Sequence, residues 1–401
     1  MQNAIESRLA ATLHSQSGIL FAEPALVARE NYSGRDILAP NSRFIPEYQD
    51  KRGYLTVERW IMSLSAADNR IPKEHEGVSQ LRLADGESVL LTEAAAHCGE
   101  LLFGDCLDRW PLVKLLDIGG APLTPSYGGP PEAPPITFHV HSGAIVNGHA
   151  QPPGKLEAYF FPPLDLPPYH QNPGRVISRL GIRPHVTKED VLAALREFGN
   201  SDAMYALGQI YEVHPYDGWI IHPGCLHAPG PWPTIEVQVP QDDYNLAAWR
   251  FGERVADPVQ RRELWQTMGL RGLADEHDFL AQVVDWELSS DPQFEKKYRK
   301  TARPIDNDSW GRRLQIFFEM FYGEALEIEP GAEYRLAAAP QPWTGLVWSG
   351  VGTVNGMPVG ADYCRAQSEF LVTPGHEVLF HNSDAGNRFI VYLIFPYQRN
   401  R

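Results

Sequence analysis

Hydrophobic positions along this chain follow two periods that alternate in blocks. Ile5, Leu9 and Leu13 stand four residues apart, which predicts a helical arm over residues 1–30. In DKRGYLTVERWIMSLS (50–65) the positions Tyr54, Val57, Trp60 and Met62 sit among threonine and charged residues, a strand pattern. VSQLRLADGESVLLTEAAAH reads as a strand and turn leading into a helix, and WPLVKLLD is apolar enough for a buried strand. A Pro/Gly-rich connector at 119–135, GGAPLTPSYGGPPEAPP, is a spacer or lid, and FFPPLDLPPYHQNPG is a second proline-rich loop. VTKEDVLAALREFGN carries helix punctuation: Thr187 as cap, Asp190 completing a capping box, and Gly199 as the stop. IYEVHPYDGWIIHPGCLHAPG returns as strand, turn and strand, and IEVQVPQDDYNLAAW continues as strand.

Residues 255–305 are charged and helical in pattern, and from 312 onward short strands return with glycine turns. GVGTVNG in this part reads as a hairpin turn, because no helix follows it to hold a phosphate. The pattern therefore predicts a mainly β protein with helical insertions. Residues 1–254 form a first unit with an inserted helix at about 185–200, 255–310 a helical connector, and 311–401 a second β unit.

Composition narrows the function classes. The 401 residues are 43% hydrophobic and 21% charged, ordinary for a globular chain, while 34 Gly and 34 Pro fit a turn-rich β architecture. A formal charge of −15 argues against general binding of a nucleic-acid backbone. It leaves room for a phosphorylated small molecule, which needs only a few local cations. Cys98, Cys106, Cys225 and Cys364 lack CxxC spacing and are expected as free thiols. The N-terminal stretch carries charge without a long apolar core, and no uncharged apolar run approaches the ~18 residues of a membrane span. A cytoplasmic monomer or homodimer without a membrane partner is the expectation.

The chemistry concentrates in FHVHSGAIVNGHAQPPGKLEAY (138–159) and HPGCLHAPG (222–230). Alternate side chains share a strand face, so His139 and His141 point the same way. With Glu157 from a following strand and His227 after the Pro223-Gly224 turn, they can close round one divalent ion. Imidazole with carboxylate suits zinc, manganese, iron, cobalt or nickel, and without thiolates the set does not choose among them. Gly154 and Pro223-Gly224 are turn residues that aim these segments inward. His222 is expected in a structural or supporting role, His149 in an exposed loop, and Cys225 as a packing residue. His376 and His381 have no carboxylate partner, which leaves the C-terminal half structural.

These motifs, in their order, resemble the type I mannose-6-phosphate isomerases, a zinc-dependent branch of the cupin superfamily. TVERWIMS resembles the family's early Glu-x-Trp strand, WPLVKLLD its Phe-Pro-Leu-Leu-Ile-Lys strand, and ITFHVHSG stands where the family has Gln-Val-His-Pro. GKLEAYFF resembles Gly-Lys-x-Glu-Ala-Trp-Tyr, VTKEDVLAAL the inserted helix, and GWIIHPGCLHAPG the Pro-Ala-Gly-Thr-x-His-Ala segment. IEVQVPQDDYNLAAW is similar to the strand that ends in Thr-Tyr-Arg-x-Tyr-Asp-Trp. The resemblance covers most of residues 50–250 and only loosely the C-terminal half. It implies two cupin-type jelly-roll barrels, a bicupin, with His141, Glu157 and His227 as metal ligands and Lys155 beside the substrate.

Two positions depart from the family. His139 stands where the family has Gln, giving a three-His-one-Glu set found among cupin oxygenases. Asn245 replaces the arginine that lines the family's cleft, leaving Asn245 and Arg250 as the substrate-facing candidates there. Moving a proton between C1 and C2 of a sugar needs a Lewis acid, an acid/base group and a pocket. Lys155, with a pKa depressed beside the metal, is the candidate acid/base, and His222, Glu236 and Asp243 are weaker ones. The leading expectation is an aldose–ketose isomerase acting on a small sugar or sugar phosphate. The alternatives are a cupin oxygenase and a non-catalytic sugar-binding bicupin.

Overall fold

Short strands joined by turns build the molecule. The computed structural model describes residues 2–32, 50–116, 135–166, 175–363 and 365–398. Its architecture is mainly β, and among the described residues helices lie at the N-terminus, over residues 91–109 and in the insertions between 188 and 298. A seven-stranded antiparallel sheet runs in the spatial order Arg299–Thr301, Asp217–Ile221, Glu157–Phe160, Thr234–Gln238, Leu112–Leu116, Leu55–Ile61, Ala25–Arg29. A five-stranded sheet runs Gly208–Glu212, Ile177–Ile182, His227–Ala228, His139–Val140, Asn245–Leu246. Between these two sheets lie the side chains of the candidate site.

Several segments follow the sequence pattern. WPLVKLLD supplies Leu112–Leu116, buried throughout, and the 50–65 stretch supplies Leu55–Ile61. The Lys188–Arg196 helix starts with the reciprocal Thr187–Asp190 capping box, and Gly199 turns left-handed (φ +67°) two residues past the C-cap Glu197. GVGTVNG forms the hairpin of Val351–Val354 with Met357–Gly360, turning on Asn355 and Gly356 at φ +48° and +78°. The 255–305 region is helical in four short pieces and then strand, from Arg299 onward. The 119–135 connector falls outside the described residues except for Pro135, as do residues 167–174 of the second proline-rich loop.

The N-terminal strand goes where chain order does not suggest. The helical arm expected over 1–30 stops at Ser15, and Ile19–Glu23 and Ala25–Arg29 are strands. Ile19–Glu23, expected within a unit of residues 1–254, is hydrogen-bonded between Glu369–Val372 and Gln80–Arg82. It thereby joins a nine-stranded sheet made mostly of C-terminal strands, which a four-stranded sheet accompanies. Ile19, Leu20 and Phe21 are buried with Phe370, Leu371 and Val372, so the pairing is held by apolar burial as well as by the ladder. Arg59 adds a buried ion pair to Glu369, tying the seven-stranded sheet to the same C-terminal strand. Cys98, Cys106 and Cys225 are buried and unbridged. Among the described residues no helix is long and apolar enough to cross a membrane.

Candidate metal centre

Strand alternation puts His139 and His141 on one face, while Phe138 and Val140 pack into a separate apolar cluster on the other. His227 pairs directly opposite His139 across the antiparallel ladder. The Pro223-Gly224 turn delivers it: Gly224 adopts φ +85° with Asp285 so close that a Cβ would sit 2.7 Å from its Cβ. The Gly224 N–H donates to the His141 carbonyl at 2.9 Å, which locks the two ligand segments together. Gly154 presses equally hard on that carbonyl, where a Cβ would meet the oxygen at 2.5 Å.

The ligand nitrogens of His139, His141 and His227 lie within 4.8 Å of one another, all three residues buried. Glu157 enters from the other sheet: its carboxylate stands 3.4 Å from His141 Nε2 and 3.1 Å from His227 Nε2. Each imidazole is oriented by a backbone carbonyl. Nδ1 of His139 faces Thr137 O at 2.8 Å, Nδ1 of His141 faces Asp243 O, and Nδ1 of His227 faces Cys225 O at 2.8 Å. An Nδ1–H donating to these carbonyls leaves Nε2 as a lone pair directed at the centre. His141 Nε2 and His227 Nε2 are buried without a hydrogen-bond partner. Buried polar atoms normally have one, so this donor set fits a cation. Burial also pushes His141 down to about 4 and His139 well below the usual histidine range, so both are neutral ligands at neutral pH.

Around this cluster runs a buried network of charges. Lys155 Nζ contacts Glu157 at 2.6 Å, Glu236 at 3.2 Å and Gln238 at 3.1 Å. Lys114 Nζ contacts Asp242 at 2.8 Å, with Glu236 at 3.8 Å. Arg29 pairs with Glu58 at 2.8 Å and Asp242 at 2.9 Å, and its remaining nitrogen donates to Asn69 at 3.2 Å. Tyr159 donates to Glu157, and Trp60 to Glu58 at 2.7 Å. Burial raises the Glu157 carboxyl, but Lys155 and the facing imidazoles outweigh it and hold the group well below the usual range. Glu236 goes the other way. Burial and then the neighbouring Glu157 push it up to about 7, against Lys155 and Lys114.

This arrangement corrects several expectations. Lys155 is not a depressed base: burial pulls it down, but Glu157 and Glu236 outweigh burial and raise it above the usual lysine range. It is a fixed cation. Asn245 lies opposite Val140 and shares its face, turned from the histidines; it accepts from Ser142 Oγ at 3.0 Å and donates to Gly269 O at 2.8 Å. Arg250 donates to the Glu30 carbonyl, stacks on Trp249 and lies outside the cavity wall. The His222 ring lies against Tyr298 on the wall of a groove that also reaches His141. Asp243 contributes through its carbonyl to His141 and through its carboxylate to Gly143 N. His149 is exposed and Cys225 fully buried, as the sequence suggested.

What the sequence reading missed is the second ring: Arg29, Glu58, Lys114, Tyr159, Gln238 and Asp242. The available signal was a single charged residue inside an otherwise apolar strand, as Lys114 is within LVKLL. Beside the histidines the enclosed cavity amounts to about 20 Å³, room for an ion or a water. A groove of about 760 Å³ opens along His141, Ser142 and Gly154 toward His222 and Asp285, large enough for a monosaccharide.

No protein-family model matches this chain, and no curated protein does. Solved structures do match in fold. One assigned to a mannosephosphate isomerase from Archaeoglobus fulgidus is 15% identical and covers 96% of this chain and 98% of its own, at a TM-score of 0.60. The mannose 6-phosphate isomerase from Bacillus subtilis is 14% identical over 94% and 99%, at 0.55. A zinc-bound mannose 6-phosphate isomerase is 12% identical over 95% and 100%, at 0.50. Over almost its whole length, therefore, this chain has the fold of these isomerases.

Proposed function

We propose that this protein is a metal-dependent aldose–ketose sugar isomerase built as a bicupin, with its active site in the N-terminal barrel. The observation that carries this reading is the convergence of three carbonyl-oriented histidines on Glu157, with Nε2 of His141 and of His227 buried without a hydrogen-bond partner. The fold shared with mannose 6-phosphate isomerases, one of them zinc-bound, supports the reaction class and makes zinc the first choice. His139, His141, Glu157 and His227 would hold the ion, which when bound supplies Lewis acidity to the sugar's carbonyl oxygens.

The chain's own residues supply the rest. Lys155 stays protonated, clamps Glu157 in place and presents a fixed positive charge beside the developing enediolate. Glu236, on the cavity wall 3.2 Å from Lys155 and raised by burial and by Glu157 when no ion is bound, is the group suited to carry the proton between the two carbons. Burial of the whole cluster excludes bulk water and strengthens each of these interactions. A second reading, an oxygen-using metalloenzyme, is favoured by the third histidine at 139.

Elemental analysis of the purified protein, followed by an NMR assay of aldose–ketose interconversion, tests the proposal. One equivalent of divalent metal with turnover lost on chelation is the expected result. Oxygen consumption without interconversion would transfer the assignment to the second reading.

A further inference from the structure

Resting on the isomerase reading, we propose that the sugar this site takes is uncharged: a free aldose or ketose, and not its phosphate ester. A phosphate dianion needs cations with donors to spare. Among the described residues that line the cavity, every Lys and Arg is already committed to buried carboxylates. Each donor nitrogen of Arg29 is already engaged, with Glu58, Asp242 and Asn69. Lys155 meets Glu157, Glu236 and Gln238, and Lys114 meets Asp242 with Glu236 and Glu58 within 4.0 Å. Recruiting any of them to a phosphate would strand a buried carboxylate.

The spaces outside the cavity agree. In the groove along His141 the charged walls are Asp285, Glu287 and Asp291 against Lys297, which is itself paired with Asp291 at 2.5 Å. That wall repels an anion and accepts hydrogen bonds from hydroxyl groups. Beyond Tyr244 a groove of about 330 Å³ contains Arg70 and Arg271, but Arg70 forks onto Glu30 at 2.9 and 2.6 Å, and Arg271 pairs with Asp68 at 2.6 Å and donates to the Tyr244 carbonyl at 3.2 Å. Apart from His141 Nε2, the polar atom left without a hydrogen bond on the cavity wall, among the described residues, is an acceptor. Asn31 is 4% exposed, donates through Nδ2 to Thr137 at 2.9 Å, and its Oδ1 is buried without a partner. A sugar hydroxyl can donate to that oxygen; a phosphate oxygen cannot.

The test is calorimetric titration of the zinc-loaded full-length protein with free mannose and fructose and with their 6-phosphates, and NMR turnover on the same four compounds. The expected result is that a free sugar binds at least about tenfold more tightly than its ester. Asn31→Ala should then lower that affinity about tenfold while leaving zinc content in place and lowering the melting temperature only by the loss of the hydrogen bond to Thr137. An ester that binds as well as or better than the free sugar overturns the inference, as does failure of all four to bind. Binding selectivity without turnover would sustain the choice of ligand and remove the isomerase reading. Turnover of the esters alone would do the reverse.

Discussion

The two sheet pairs of this molecule bury polar side chains to different ends. In the first, ionised groups from five strands converge on one point. Arg29, Glu58, Lys114, Glu157 and Glu236 are each no more than 3% exposed, and the imidazole nitrogens without a hydrogen bond sit at their edge. In the second, the buried carboxylates are dispersed, each facing an arginine though each keeps one oxygen without a hydrogen bond: Glu327 with Arg312 at 2.8 Å, Glu324 with Arg313 at 3.1 Å, and Glu369 with Arg59. Its histidines are kept apart, His376 bonded to Thr373 and His381 to Ser383. The interior there is Trp343, Phe370, Phe380, Phe389 and Val391. Convergence of charge with ligand atoms left over marks a site, whereas paired charges and an apolar interior mark a scaffold.

Breaking the convergent side should have the largest effect. Glu157→Ala removes a ligand and leaves Lys155 without its nearest partner. We expect loss of bound metal by elemental analysis and a fall in turnover of about 1000-fold or more. Full metal occupancy in that variant would end the assignment. Disrupting the apolar side should instead cost stability alone. Phe389→Ala empties a fully buried position and should destabilise by about 3–5 kcal/mol in urea unfolding, with metal stoichiometry unchanged.

A pH dependence sharpens the contrast further. An acid whose folded pKa lies above its unfolded value binds more protons when folded, so it weakens folding as pH rises between the two. Glu236, raised from 4.5 to about 7 by burial and Glu157, should therefore cost about 3 kcal/mol as pH climbs through that window. Glu236→Gln should flatten the difference between urea melts at the two ends of the window. The smallest effect is expected at His376→Ala, about 1 kcal/mol for its hydrogen bonds and no change in bound metal.

Short-range physics made much of this legible in the chain itself. A capping box needs only residues three apart, and two imidazoles on one face need only strand alternation, so Thr187–Asp190 and His139–His141 could be read directly. His227 and Glu157 were legible through their turns and through the resemblance that orders the motifs. Other assignments depended on which strands become neighbours. Asn245 faces Val140 rather than the histidines because of its ladder register, and Lys155 is raised rather than lowered because Glu157 and Glu236 come from two adjoining strands. Strand Ile19–Glu23 joins the far end of the chain for the same reason. Local sequence therefore determined the elements, the ligand types and their facing. Tertiary packing alone decided the charge each group carries and the partner that satisfies it, because those depend on burial and on neighbours hundreds of residues away.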